Sequence, residues 1–166
     1  MIAALSVVIM FLTGIIPAAT LALPAIAGCF VIAVVAETSV RYGLAVYAVV
    51  SVISVLIVPD REAVLFYIAF FGYYPALYGK LSFIKNSILR WTLKLLVFNA
   101  AMVAETVLGI FLLSIPVAEM LPYGWISIPI LAVLLNVVFV LYDYTMNGLI
   151  VQYVRRIHPA VIKLLR

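Results

Sequence analysis

The sequence predicts an all-α integral membrane protein, a bundle of six transmembrane helices with both chain ends in the cytoplasm. Three observations carry this expectation. Hydrophobic residues make up 69% of the chain, charged residues 10%, and the mean hydropathy is +1.36. A soluble domain of 166 residues has no interior large enough to hide that much apolar side chain. The apolar residues also come in long runs, broken only by short polar turns, and a helix needs roughly 20 mainly apolar residues to cross the hydrocarbon. Finally, the longest interruption, Lys80 to Lys94, carries Lys80, Lys85, Arg90 and Lys94 and no acid. Such loops stay in the cytoplasm, so this one orients all the others.

The first helix is expected over about Ile2–Ile16, with a kink at Pro17. No Lys or Arg precedes its apolar run, so it reads as a retained helix rather than a signal peptide. Pro24 suits the first turn of a second helix reaching about Val40. A third helix follows over Leu44–Val58, then a polar turn at Pro59-Asp60-Arg61-Glu62. The fourth helix, Ala63–Tyr78, is broken near its end by Gly72 and Pro75. Beyond the basic loop, helix five covers about Trp91–Ile115 and helix six about Ile126–Val151, with a turn containing Glu119 and Tyr123 between them. Residues 1–151 thus form the transmembrane domain, and 152–166 a basic amphipathic tail suited to the inner membrane surface. With Lys80–Lys94 inside, Arg41, Arg155, Arg156, Lys163 and Arg166 also fall inside, and Arg61 falls outside. The apolar runs do not alternate, which argues against a β-barrel.

Function classes narrow by exclusion. The basic residues follow membrane topology rather than a nucleic-acid patch. One cysteine, Cys29, and one histidine, His158, offer neither a disulfide nor a zinc cluster nor a Ser-His arrangement. No phosphate-binding loop appears. A non-enzymatic protein without cofactor or metal is expected.

Small residues mark where membrane helices approach closely. Ala25, Cys29, Ala33, Glu37 and Arg41 follow one another at i+4 steps, and Gly14 and Ala18 repeat the spacing at the end of helix one. These stripes suit internal packing or the docking of a partner, as do Arg155 and Arg156 in the tail. Polar residues within the spans fall into two groups. Near the inner side, Glu37, Arg41, Lys94 and Asp143 suit structural ion pairs, with Glu37–Arg41 and Asp143–Asn147 at i,i+4 spacing. Deeper lie Glu105 and Asn136. No basic residue shares the depth of Glu105, so it is either protonated or in contact with a polar cavity. On the outer side, Thr20, Asp60, Arg61, Tyr67, Glu119 and Trp125 surround a vestibule able to hold a small polar solute; solvated turns and aromatic anchors are the plainer alternative.

The Leu23-Pro24-Ala25 re-entry, the Ala/Gly-rich second helix, the short third helix and the Pro59-Asp60 turn resemble, at the level of fold, the substrate-binding S components of energy-coupling factor (ECF) vitamin transporters. That resemblance implies a subunit of a bacterial cytoplasmic membrane. It would capture a vitamin-like solute from outside and work with a coupling subunit and ATPases. Thr20, Asp60, Arg61, Tyr67, Glu119 and Trp125 would lie above the solute, with Glu105 and Asn136 as its floor. In that family a small-residue motif on helix one meets the coupling subunit; here Gly14 and Ala18 stand at the helix's outer end. The MreD-like rod-shape proteins are similar in size and span count. They imply the alternative of a scaffold that binds partner proteins through helix two and the tail.

Overall fold

A computed structural model describes residues 1–114, 116 and 124–157. It is helical, and the described residues contain no strand. Helix α1 spans Ile2–Leu12, α2 Ala22–Glu37 and α3 Val40–Ile57. The fourth predicted helix is two segments, α4 (Arg61–Phe66) and α5 (Tyr74–Ser82), joined by a π-helical turn over Tyr67–Phe71. Helix α6 spans Ser87–Leu113, and α7 spans Ser127–Gln152 and continues as a π turn over Tyr153–Ile157. Counting α4 and α5 as one broken helix, the described residues form six helices of the bundle.

Three of them are long and apolar enough to cross a membrane, over Val40–Ile57, Ser87–Leu113 and Gly124–Arg155. Ile2–Leu12 and Ala22–Glu37 are apolar but shorter. Helix α1 stops before the predicted Ile16. Thr13 turns its hydroxyl back onto the Met10 carbonyl at 2.7 Å, and a 3₁₀ turn at Pro17–Ala19 follows. Eleven residues rise about 16 Å, roughly half the hydrocarbon thickness. Helix α2 also ends early. Thr38 leaves helical geometry at φ −127°, ψ −87°, so Arg41 belongs to α3 and the i+4 ladder from Ala25 stops at Glu37.

Local chemistry accounts for the other boundaries. Asp60 caps α4 by accepting from Ala63 N at 3.0 Å. Asn86 caps α6 by accepting from Ile88 N at 3.0 Å and Leu89 N at 3.3 Å. Pro75 sits in the first turn of α5, where its missing N–H breaks no bond within that helix. The π turn closes with Gly72 N donating to Tyr67 O at 2.8 Å, and Tyr47 donates its hydroxyl to the Ile68 carbonyl at 2.9 Å. Gly72 is required here, since a Cβ would collide with the Tyr47 and Tyr67 rings.

Two buried clusters result. Met10, Ala27, Val50, Val58, Ala63, Val64 and Tyr67 join α1, α2, α3 and α4. Ile32, Phe70, Phe71, Tyr74, Tyr78, Phe98, Ala101, Phe139 and Met146 join α2, α5, α6 and α7. Much of α6 and most of α7 lie outside these clusters, with Phe111, Leu112, Val133 and Leu141 exposed.

Candidate functional site

Helix α6 organises the polar interior. Its buried residues are Lys94, Phe98, Ala101, Glu105 and Gly109, one stripe at helical spacing along the core-facing side. A cation thus stands toward one end, aromatic rings in the middle and a carboxylate toward the other end. Lys94 and Glu105 are eleven residues apart, about 16 Å along the axis.

At the Lys94 end, the ammonium contacts both carboxylate oxygens of Asp143 on α7, at 2.8 Å each. Both residues are 4% exposed. The Tyr74 hydroxyl also donates to Asp143 Oδ1, and Lys94 Nζ lies 4.1 Å from the Tyr78 ring centroid and 5.3 Å from that of Trp91. Two charges in a dry interior persist only when paired and hydrogen-bonded, and both conditions hold. The pair sits at the base of a cleft of about 290 Å³ lined by Tyr78, Ser82, Arg90, Trp91, Lys94, Asp143, Tyr144 and Asn147.

The middle layer is aromatic. Phe98 and Phe139 stack at 4.6 Å with an interplanar angle of 14°, and Phe70 meets Phe98, Phe139 and Tyr74 around them. This layer separates the cleft from the Glu105 half of the bundle.

Glu105 is 9% exposed, faces the core beside α4, and has no hydrogen-bond or ion-pair partner among the described residues. The hydroxyl of Tyr67, a fully buried residue of the π turn, is likewise unpartnered among the described residues. Glu105 lies in the half of α6 toward Leu113, eight residues from that end, rather than at the helix centre. The other residues expected around a solute are engaged in different ways. Thr20 Oγ1 donates to Asp60 Oδ2 at 2.9 Å, Arg61 donates to the Val55 carbonyl, and Trp125 is 84% exposed. Asn136 does not share the Glu105 face. It exchanges reciprocal hydrogen bonds with Asn99 at 2.9 and 3.1 Å on the outer surface of α6 and α7. Glu119 lies outside the described residues.

The residues expected to meet a partner divide between half-buried positions on α2 and exposed ones at the end of α1 and in the tail, and the Arg156 side chain lies outside the described residues. A Cβ on Gly14 would reach within 2.9 Å of the Pro59 ring, so this glycine packs the end of α1 onto the α3–α4 turn. Ala25 and Cys29 pack against the aromatic cluster, with Cys29 Sγ 3.7 Å from Met146 Sδ. Ala33 is half-buried, and Ala18 and Arg155 are exposed. Of the inner ionic residues, Glu37 accepts from the Tyr153 hydroxyl at 2.9 Å and Asp143 joins Lys94 rather than Asn147. No group of three His, Cys, Asp or Glu side chains among the described residues is placed to hold a metal.

Sequence reasoning missed Tyr74, Tyr78, Ser82, Arg90 and Trp91 as one constellation. The available signal was the Tyr74–Tyr78 i,i+4 pair leading straight into the basic loop, which puts two phenols on one helix face below the first lysine. No protein-family model, curated protein or solved structure matches the chain.

Proposed function

We propose that this chain is a non-enzymatic, multi-pass subunit of a bacterial cytoplasmic membrane that captures a small polar solute from outside, in the manner of an ECF-type S component. In this reading it works with a coupling subunit and ATPases. The observation that supports it is Glu105. A carboxylate on the core face of a membrane helix, with no cation beside it, is costly to retain and suits a site that a solute completes. The Tyr67 hydroxyl, on the turn that follows α4, is a second buried hydrogen-bonding group with no partner among the described residues. Asp60, held by Thr20 and by its own helix cap, fixes the turn above them.

The test is mild extraction of tagged protein from its native membrane, followed by mass spectrometry of bound small molecules and co-purifying proteins. The expected result is a stoichiometric metabolite in the native protein that falls at least tenfold in Glu105→Gln, which keeps the shape and removes the charge. Coupling-subunit and ATPase partners should accompany the native protein. An empty native protein, or a metabolite whose occupancy Glu105→Gln leaves unchanged, rejects the proposal.

A second reading, a scaffold of the MreD-like kind, is favoured by the exposed Asn99–Asn136 pair. Two amides on an apolar helix surface suit hydrogen bonding to a helix from another protein. Cell-envelope partners that are lost on removing residues 153–166, with no metabolite bound, would establish it.

A further inference from the structure

The cleft over the Lys94–Asp143 pair lies at the opposite end of α6 from Glu105 and is not used by the solute reading above. Its chemistry is lopsided. Asp143 is its one acid and is already engaged by Lys94 on both oxygens and by Tyr74. Facing it are two cations, so the lining carries one excess positive charge. Arg90 holds its guanidinium in place through the Ile84 carbonyl at 3.2 Å and Ser87 Oγ at 3.5 Å. A guanidinium has five N–H donors in a planar fork, so donors remain for the cleft. The Asn147 side-chain amide and the Trp91 indole N–H add donors that have no partner among the described residues. An oxyanion fits a cavity with one excess cation and several open donors, whereas a second cation would meet repulsion from Arg90. The surroundings narrow the choice. The cleft is built partly from the basic Lys80–Lys94 segment; Phe83, next in sequence to the lining Ser82, and Ile88, two positions before Arg90, are 87% and 79% exposed, and the lining Tyr144 is 76% exposed. Apolar side chains next to a cationic pocket suit a ligand with a charged head and apolar tails.

We propose that this cleft binds a phosphate group, carried either by an anionic phospholipid of the inner leaflet or by a soluble phosphate compound, with Arg90 and Asn147 as the main donors.

Trp91 lines the cleft and supplies the readout. Replacing the other tryptophan, Trp125→Phe, leaves Trp91 as the sole indole of the full chain in detergent. Its emission is followed while short-chain (dihexanoyl) phosphatidylglycerol, inorganic phosphate, or phosphate-free dihexanoylglycerol is added. A saturable change with phosphatidylglycerol alone identifies a lipid headgroup site. Saturation by inorganic phosphate identifies a site for the free anion. In either case Arg90→Gln and Asn147→Leu are each expected to weaken binding about tenfold, while Lys85→Gln, outside the lining, leaves it unchanged. If Arg90→Gln fails to fold because the Ile84 and Ser87 contacts are lost, Asn147→Leu carries the test, since that amide supports no contact within the fold. The proposal is overturned if neither phosphate-bearing probe saturates. It also falls if dihexanoylglycerol reproduces the response, or if the variants that fold bind as tightly as the parent.

Discussion

Lys94 and Asp143 show what a single pair decides in this molecule. Their 2.8 Å contact ties α6 to α7 and is the one ion pair between these helices among the described residues. Removing one partner strands the other charge, at a cost of about 3–5 kcal/mol, whereas replacing both with apolar residues of similar size is often neutral or stabilising. Lys94→Met should therefore lower the thermal midpoint in detergent sharply, and Lys94→Met combined with Asp143→Leu should restore most of the loss. A double variant no more stable than the worse single one would contradict this account. The sequence identified both residues as ionic and near the inner side, but its i,i+4 logic offered Asn147 as the neighbour of Asp143. Periodicity sees partners on one helix and is blind to those on another. The same limit hid the Asn99–Asn136 bonds, whose members lie 37 positions apart.

The helices themselves were largely legible from their apolar runs, although α3 starts before Arg41 and α6 before Arg90, charges at which the hydropathy reading stopped. The exact ends were less so. Thr13 and Thr38 terminate α1 and α2 through hydroxyl and backbone geometry that hydropathy does not register. Small residues were also readable as contact points, yet the tightest contact fell one residue from the expected stripe, at Gly28 rather than Cys29. A Cβ on Gly28 would overlap the Phe71 carbonyl, an acceptor left without its i+4 backbone donor because residue 75 is proline. Gly148, by contrast, has open space around its Cβ position. Gly28→Ala should thus destabilise the protein by about 1–3 kcal/mol, and Gly148→Ala should be neutral or slightly stabilising. Denaturant titration of both in the same detergent checks the contrast, and equal midpoints would show that α2 and the π turn do not meet this closely.

At the scale of the molecule, three long apolar helices and the basic Lys80–Lys94 segment, which runs from the last turn of α5 into the first turns of α6, are what a membrane would read. The proposed six-span orientation makes a definite prediction. In a Cys29→Ser background, Arg61→Cys should react with a membrane-impermeant maleimide in intact bacterial cells. Lys85→Cys should react only after the cells are opened, and the reverse pattern would invert the topology. The candidate site was half legible. Glu105 stood out because no cation shares its depth, while the cleft did not, because its walls come from three separate helices. Those walls also depend on the π turn, which sets the phase of everything after it. Residues in a regular helix advance about 100° each, so one codon gained or lost between Asp60 and Gly72 would turn Tyr74 away from Asp143 without touching either residue. To a geneticist such an indel would map to the π turn while its phenotype appeared at the cleft between α5, α6 and α7.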